Sequence, residues 1–266
     1  MKRAWPVLLL ALGLVPSSPA QEPRRLLAVF AHPDDEIFAG PLLAAYARRG
    51  VKVHLVIVTD GEKGTNAHAF IPAGAELAKV RAEEARCSCR ALGIEPPILL
   101  GFQDGELGQA TKPPGGPLAK VAGEIGRIFK ELRPDAVVTW GPEGGYGHPD
   151  HRLVGAVVTQ LVQAGAEGAP RALVYPGFPK DRFPAKSPGN VPWSPTDPQF
   201  LTVRVPYEAA DLAATRAGLV CHKSQFRAEE VEPLTAFMDQ VLGGRAYLRP
   251  WFGAASGDDL FKIKLQ

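Results

Sequence analysis

Leu26-Leu27-Ala28-Val29-Phe30-Ala31-His32-Pro33-Asp34-Asp35-Glu36 is the stretch that decides the fold. Its first five residues are apolar without a break, as in a strand buried on both faces of a parallel sheet. A histidine, a proline and three acids follow at once. Pro33 fits the first position of a helix, where a missing N–H costs nothing, and the acids then suit the positive end of the helix dipole. A helix is predicted from Glu36 to Arg49, closed by Gly50. The same alternation continues outward: strand Val51–Val58, helix Glu76–Leu92, strand Pro97–Leu100, helix Pro117–Leu132, strand Ala136–Trp140 and helix Arg152–Ala164. This pattern predicts a single α/β domain, Rossmann-like, with a mostly parallel sheet and helices on both faces.

After Pro170 the rhythm changes. Eight prolines fall between Pro170 and Pro198, which excludes a regular helix or central strand there. Ala172–Tyr175 and Leu201–Val205 read as short strands flanking a long loop, with helices expected over Glu208–Cys221 and Glu229–Leu242. A loop of this length is either a rim of the active site or a plain surface excursion.

The 266 residues carry 30 basic and 28 acidic side chains, a balance that excludes the broad basic face of a nucleic-acid binder. Residues 1–20 read as a secretory signal: Lys2 and Arg3, the apolar run Trp5–Val15, then Ser18-Pro19-Ala20 before Gln21. Eleven apolar residues are too few to span a hydrocarbon core of about 30 Å. The expectation is an exported, periplasmic or extracellular domain over residues 21–266, with no stable membrane insertion once the signal is removed. The three cysteines, Cys87, Cys89 and Cys221, are expected to be buried free thiols, with Cys221 reaching a partner only if the fold allows it.

A second motif, Gly144-Gly145-Tyr146-Gly147-His148-Pro149-Asp150-His151, follows the fourth strand and repeats the grammar of the first. If the strands are ordered 3-2-1-4, both motifs leave the carboxyl ends of neighbouring strands at the switch point, where ligands bind in open α/β sheets. His32, Asp35 and His151 would then make a two-histidine, one-carboxylate site with an open position for water. Asp34 and His148 remain as acid/base candidates. An acid-rich helix start accounts for Asp34, Asp35 and Glu36 without function, but it does not account for His32 directly before them.

The two histidine motifs resemble those of the PIG-L/LmbE zinc-dependent deacetylases. Thr59-Asp60-Gly61-Glu62, Arg81 with Glu84, Leu92-Gly93 and His222-Lys223-Ser224-Gln225 extend the likeness from about Leu26 to Gln225. Gly40-Pro41 departs from it, since many members carry a second glycine there. The resemblance implies one zinc or other divalent ion per chain on His32, Asp35 and His151, with Asp34 as general base. It implies His148 as the group that stabilises or protonates the transition state, Asp150 as its orienter and Tyr146 as a mobile tyrosine. Arg81 and His222 are substrate-binding candidates, although an ion pair with Glu83 or Glu84 and a helix-dipole role account for them equally well. The implied reaction is hydrolysis of an N-acyl amino sugar or glycan. A metallophosphoesterase, which usually needs two metals and more carboxylates, and a silent carbohydrate-binding protein are the alternatives.

Overall fold

The computed structural model describes residues 23–108, 116–253 and 255–263, so the expected signal segment lies outside the described residues. Seven strands form one sheet in the order β3-β2-β1-β4-β5-β7-β6. They are β1 (Arg25–Phe30), β2 (Lys52–Thr59), β3 (Ile98–Phe102), β4 (Ala136–Thr139), β5 (Ala172–Pro176), β6 (Val203–Pro206) and β7 (Arg245–Pro250). β1 to β5 pair in parallel, whereas β7 runs antiparallel to both β5 and β6. The 3-2-1-4 order is therefore as expected, and β1 and β4 are neighbours.

The alternation of β1 divides the core. Leu26, Ala28 and Phe30 pack in one cluster with Leu42, Leu43 and Cys89, from α1 (Gly40–Arg48) and α2 (Ala75–Leu92). Leu27 and Val29 face the other way, against Ile125 and Phe129 of α3 (Pro117–Leu132) and Val154 and Val158 of α5 (Pro149–Gln163). Helices thus cover both faces. A distorted turn, α4 (Gly144–Gly147), precedes α5, and α6 (Ala209–Cys221) and α7 (Ala228–Leu242) complete the chain's helices among the described residues.

Three expectations need correction. The helix expected over Glu36–Arg49 is split into a 3-10 turn at Asp35–Ala39 and α1, because Pro41 sits in the first turn of α1 and supplies no N–H to extend it backward. Pro33 is accordingly not a helix start. β7 is unanticipated: its two arginines and terminal proline hide the strand pattern. Cys87 and Cys221 are not free thiols but form a disulfide joining α2 to the end of α6, while Cys89 stays free and buried. Among the described residues no helix is long and apolar enough to cross a membrane.

Candidate active site

Both motifs leave the carboxyl ends of β1 and β4, and their side chains meet. His32 Nδ1 lies 3.1 Å from His151 Nε2, and Asp35 Oδ1 lies 3.1 Å from the same His151 nitrogen. Each ring is oriented from behind. His32 Nε2 donates to Asp104 Oδ1 at 3.0 Å, with Asp150 Oδ2 at 3.5 Å. His151 Nδ1 donates to the Gly144 carbonyl at 3.1 Å. With those nitrogens protonated, Nδ1 of His32 and Nε2 of His151 present bare lone pairs to one another. Two lone pairs at that separation, buried beside a carboxylate oxygen, require a proton or a cation between them. Ligands about 2.0–2.1 Å from a tetrahedral zinc lie about 3.3 Å apart, so the spacing suits a single ion.

Asp35 divides its two oxygens. Oδ2 accepts from the main-chain N–H of Ala31 at 3.0 Å, of His32 at 2.9 Å, and from Trp140 Nε1 at 3.0 Å. Oδ1 is left for the cluster. Burial opposes charge on Asp35, but His151 and His32 outweigh it and hold the carboxyl well below its usual range. Trp140 also stacks on His151, with centroids 4.4 Å apart and planes 3° from parallel. One indole therefore fixes two members of the cluster.

Asp34 points elsewhere. Its φ is 108°, a left-handed conformation that a residue with a Cβ adopts only at a cost and that is common at functional sites. Its N–H donates to Glu36 Oε2 and its Oδ2 accepts from Arg81 Nη2, both at 3.0 Å. Burial pushes the Asp34 carboxyl up, and the Arg81 guanidinium works against that.

Arg81 itself is 3% exposed. It also donates to the carbonyls of Pro33 and Gly61, so it clamps the turn beneath Asp34 and is not a solvated partner of Glu83 or Glu84. Both Gly61 and Gly64 leave room for it, since a Cβ at either would strike the guanidinium. His222 is fully buried and its Nε2 bonds Glu36 Oε1 at 2.6 Å; Ser88 donates to the same oxygen. It supports the turn from below and does not reach the cluster.

His148 caps α5, and its Nδ1 accepts from the main-chain N–H of Asp150 at 3.2 Å, which leaves its proton on Nε2. Burial and the neighbouring His32 and His151 lower its pKa. Asp150 holds His148 through its main-chain N–H, while its carboxylate accepts from Gly105 N–H at 2.8 Å and lies near His32. Tyr146 is 37% exposed, with its ring 5.2 Å from that of His151. Asp104 and Trp140 are the residues that sequence reasoning missed.

A profile of the family described as PIG-L, GlcNAc-PI de-N-acetylase, matches residues 27–162. The chain belongs to the PIG-L family. It is 38% identical over 164 residues to 1D-myo-inositol 2-acetamido-2-deoxy-alpha-D-glucopyranoside deacetylase 2 of Catenulispora acidiphila, covering 55% of this chain and 54% of that one. The chain thus spans about half the length of that relative. The similarly named deacetylase of Streptomyces scabiei is 30% identical over 265 residues, covering 82% of this chain and 80% of its own. N,N'-diacetylchitobiose deacetylase from Pyrococcus horikoshii superposes with a TM-score of 0.63 at 22% identity, covering 86% of this chain and 84% of that one. At that identity the likeness is one of fold. PIG-L deacetylases are metalloenzymes, and among the described residues potential ligand atoms of His32, His148 and His151 lie within 4.8 Å of one another, a grouping that could hold a metal ion.

Proposed function

We propose that this PIG-L family member is a zinc-dependent amide hydrolase that removes the N-acyl group from an N-acetylglucosamine-type sugar or glycoconjugate. The observation that carries the reading is the convergence of His32 Nδ1, His151 Nε2 and Asp35 Oδ1 beside an Asp34 carboxylate held by Arg81. His32, Asp35 and His151 would hold one divalent ion, which polarises the amide carbonyl and acidifies a water when bound. Asp34 then takes the water's proton: Arg81 occupies only its Oδ2, so Oδ1 is available as acceptor. His148 carries its proton on Nε2, which suits a donor to the developing oxyanion or to the departing amine. Tyr146 stands at the rim as a second donor. Water supplies hydroxyl to the acyl carbon and hydrogen to the nitrogen, giving a carboxylic acid and a free amino sugar. The names of the relatives, deacetylases of amino-sugar substrates, support the substrate class.

The direct test replaces His151 with Ala and measures bound zinc per chain by atomic emission. Loss of the ion with the fold retained is expected, and full zinc content in that variant would remove His151 from the ligand set.

Export belongs to the same proposal. The Lys2–Ala20 segment has the form of a secretory signal, and the Cys87–Cys221 bond suits an oxidising compartment. A mature N-terminus at or within two residues of Gln21 is expected by N-terminal sequencing; an intact Met1 on cytosolic protein would overturn it.

A further inference from the structure

A cavity of about 560 Å³ opens beside Asp34 and Asp35. Its walls are apolar: Phe178 after β5, Leu219 of α6, Phe226 between the last helices, and Leu234, Phe237 and Met238 of α7. Part of the rim is the 188–193 segment, whose Pro188 and Pro192 stiffen it and whose Trp193 stacks on Phe38 with centroids 5.0 Å apart. The polar side-chain groups on the cavity wall are those of Asp34, Asp35, Tyr146 and Asn190, with the indole N–H groups of Trp140 and Trp193.

A sugar ring carries hydroxyls on most of its carbons, and burying them without partners is strongly unfavourable. The deep wall of Leu219, Phe226, Leu234, Phe237 and Met238 offers those hydroxyls no side-chain hydrogen-bond partner, which disfavours a sugar there. An acetyl group brings a single methyl and leaves the space nearly empty. Of the two roles open to His148, donation to the departing amine puts the amine on the side away from the cavity, which His148 does not border, and leaves the acyl carbon at Asp34 and the cluster. The acyl chain is left to run along the apolar wall.

We propose that the chain acts on N-acyl amino sugars whose acyl group is a medium or long alkyl chain, seated in this chamber. The inference rests on the amide hydrolase reading above. Water adds to the acyl carbon, the C–N bond breaks, and a fatty acid and a free amino sugar leave.

The test compares N-acetyl-, N-butanoyl- and N-octanoyl-glucosamine with the zinc-loaded enzyme. Full burial of one methylene favours binding roughly fourfold, and binding energy realised in the transition state appears in kcat/KM. An octanoyl-to-acetyl ratio of at least about thirtyfold is expected. A ratio near one or below, with acetyl cleaved, overturns this inference and leaves the proposed function standing; cleavage of neither overturns both. The octyl glycoside of N-acetylglucosamine is the control for a chain on the other end. If it shows the gain and the N-octanoyl sugar does not, the acyl assignment is wrong. Leu234→Trp, which narrows the chamber, should bring the octanoyl-to-acetyl ratio close to one. Dodecanoate binding to the unmodified protein, followed by tryptophan fluorescence, gives a readout independent of turnover and of that variant's folding. Micromolar binding with no comparable response to acetate is expected, and no binding at millimolar dodecanoate overturns the chamber.

Discussion

At Asp34 the backbone turns through a φ of 108° and sends two adjacent, chemically identical side chains apart, Asp34 towards Arg81 and Asp35 towards His151. Different neighbours give them different work. Asp34→Asn keeps the size and the tolerance of left-handed backbone, but an amide accepts no proton at neutral pH. Its kcat should fall about 10²–10⁴-fold with zinc content unchanged. Asp35→Asn should instead weaken zinc binding, because Oδ1 loses its charge. Paired turnover and metal analysis check both, and near-normal turnover in Asp34→Asn would move the base to His148. Which residues were legible follows from their chemistry. His32, Asp35 and His151 were readable because neither strand packing nor helix capping calls for a histidine beside an acid at a strand exit. Asp104 was not, since a lone acid in the loop after β3 looks like any solvated carboxylate until His32 is placed against it. Trp140 read as strand filler, and only the stacking on His151 shows its second use.

The βα units were legible at the level of elements because buried parallel strands are continuous apolar runs and helices end at glycine. The antiparallel end of the sheet was not, because β7 reads as Arg-Ala-Tyr-Leu-Arg-Pro and owes its pairing to neighbours far away in the chain. Contact between β4 and α5 makes one glycine decisive. Gly155 is one turn beyond His151 on α5, and a Cβ there would overlap the Trp140 carbonyl oxygen. Gly155→Ala should cost about 1–3 kcal/mol by overpacking and weaken zinc binding by shifting His151, measured by denaturant unfolding and zinc titration. Unchanged zinc affinity would show that α5 absorbs the methyl without moving the ligand. The disulfide was illegible for the same reason as β7, since Cys87 and Cys221 are 134 residues apart in sequence. Closing a loop of that size constrains the unfolded chain by about 4–5 kcal/mol in the entropic account. Reduction should therefore lower Tm by on the order of 10 °C, read by thermal melts with and without reductant.

For the molecule as a whole, the sheet brings the exits of β1 and β4 together, and the turns there carry the proposed ligands, base and acid. The two faces of the sheet are packed in separate clusters, by α1 and α2 on one side and α3 and α5 on the other, with the switch point between them. The chain after β5, from the proline-rich segment to α7, adds the apolar wall beside it. The central claim is that this site hydrolyses an amide with the help of one divalent ion. It is tested most directly by measuring acid and free amine released from an N-acyl glucosamine by the zinc-loaded protein, by the chelated protein, and after zinc is returned. The account predicts equimolar acid and amine, loss of both on chelation, and recovery with about one zinc per chain. Amine release that persists undiminished after complete removal of metal, or no release at all from the loaded protein across the acyl series, would contradict it.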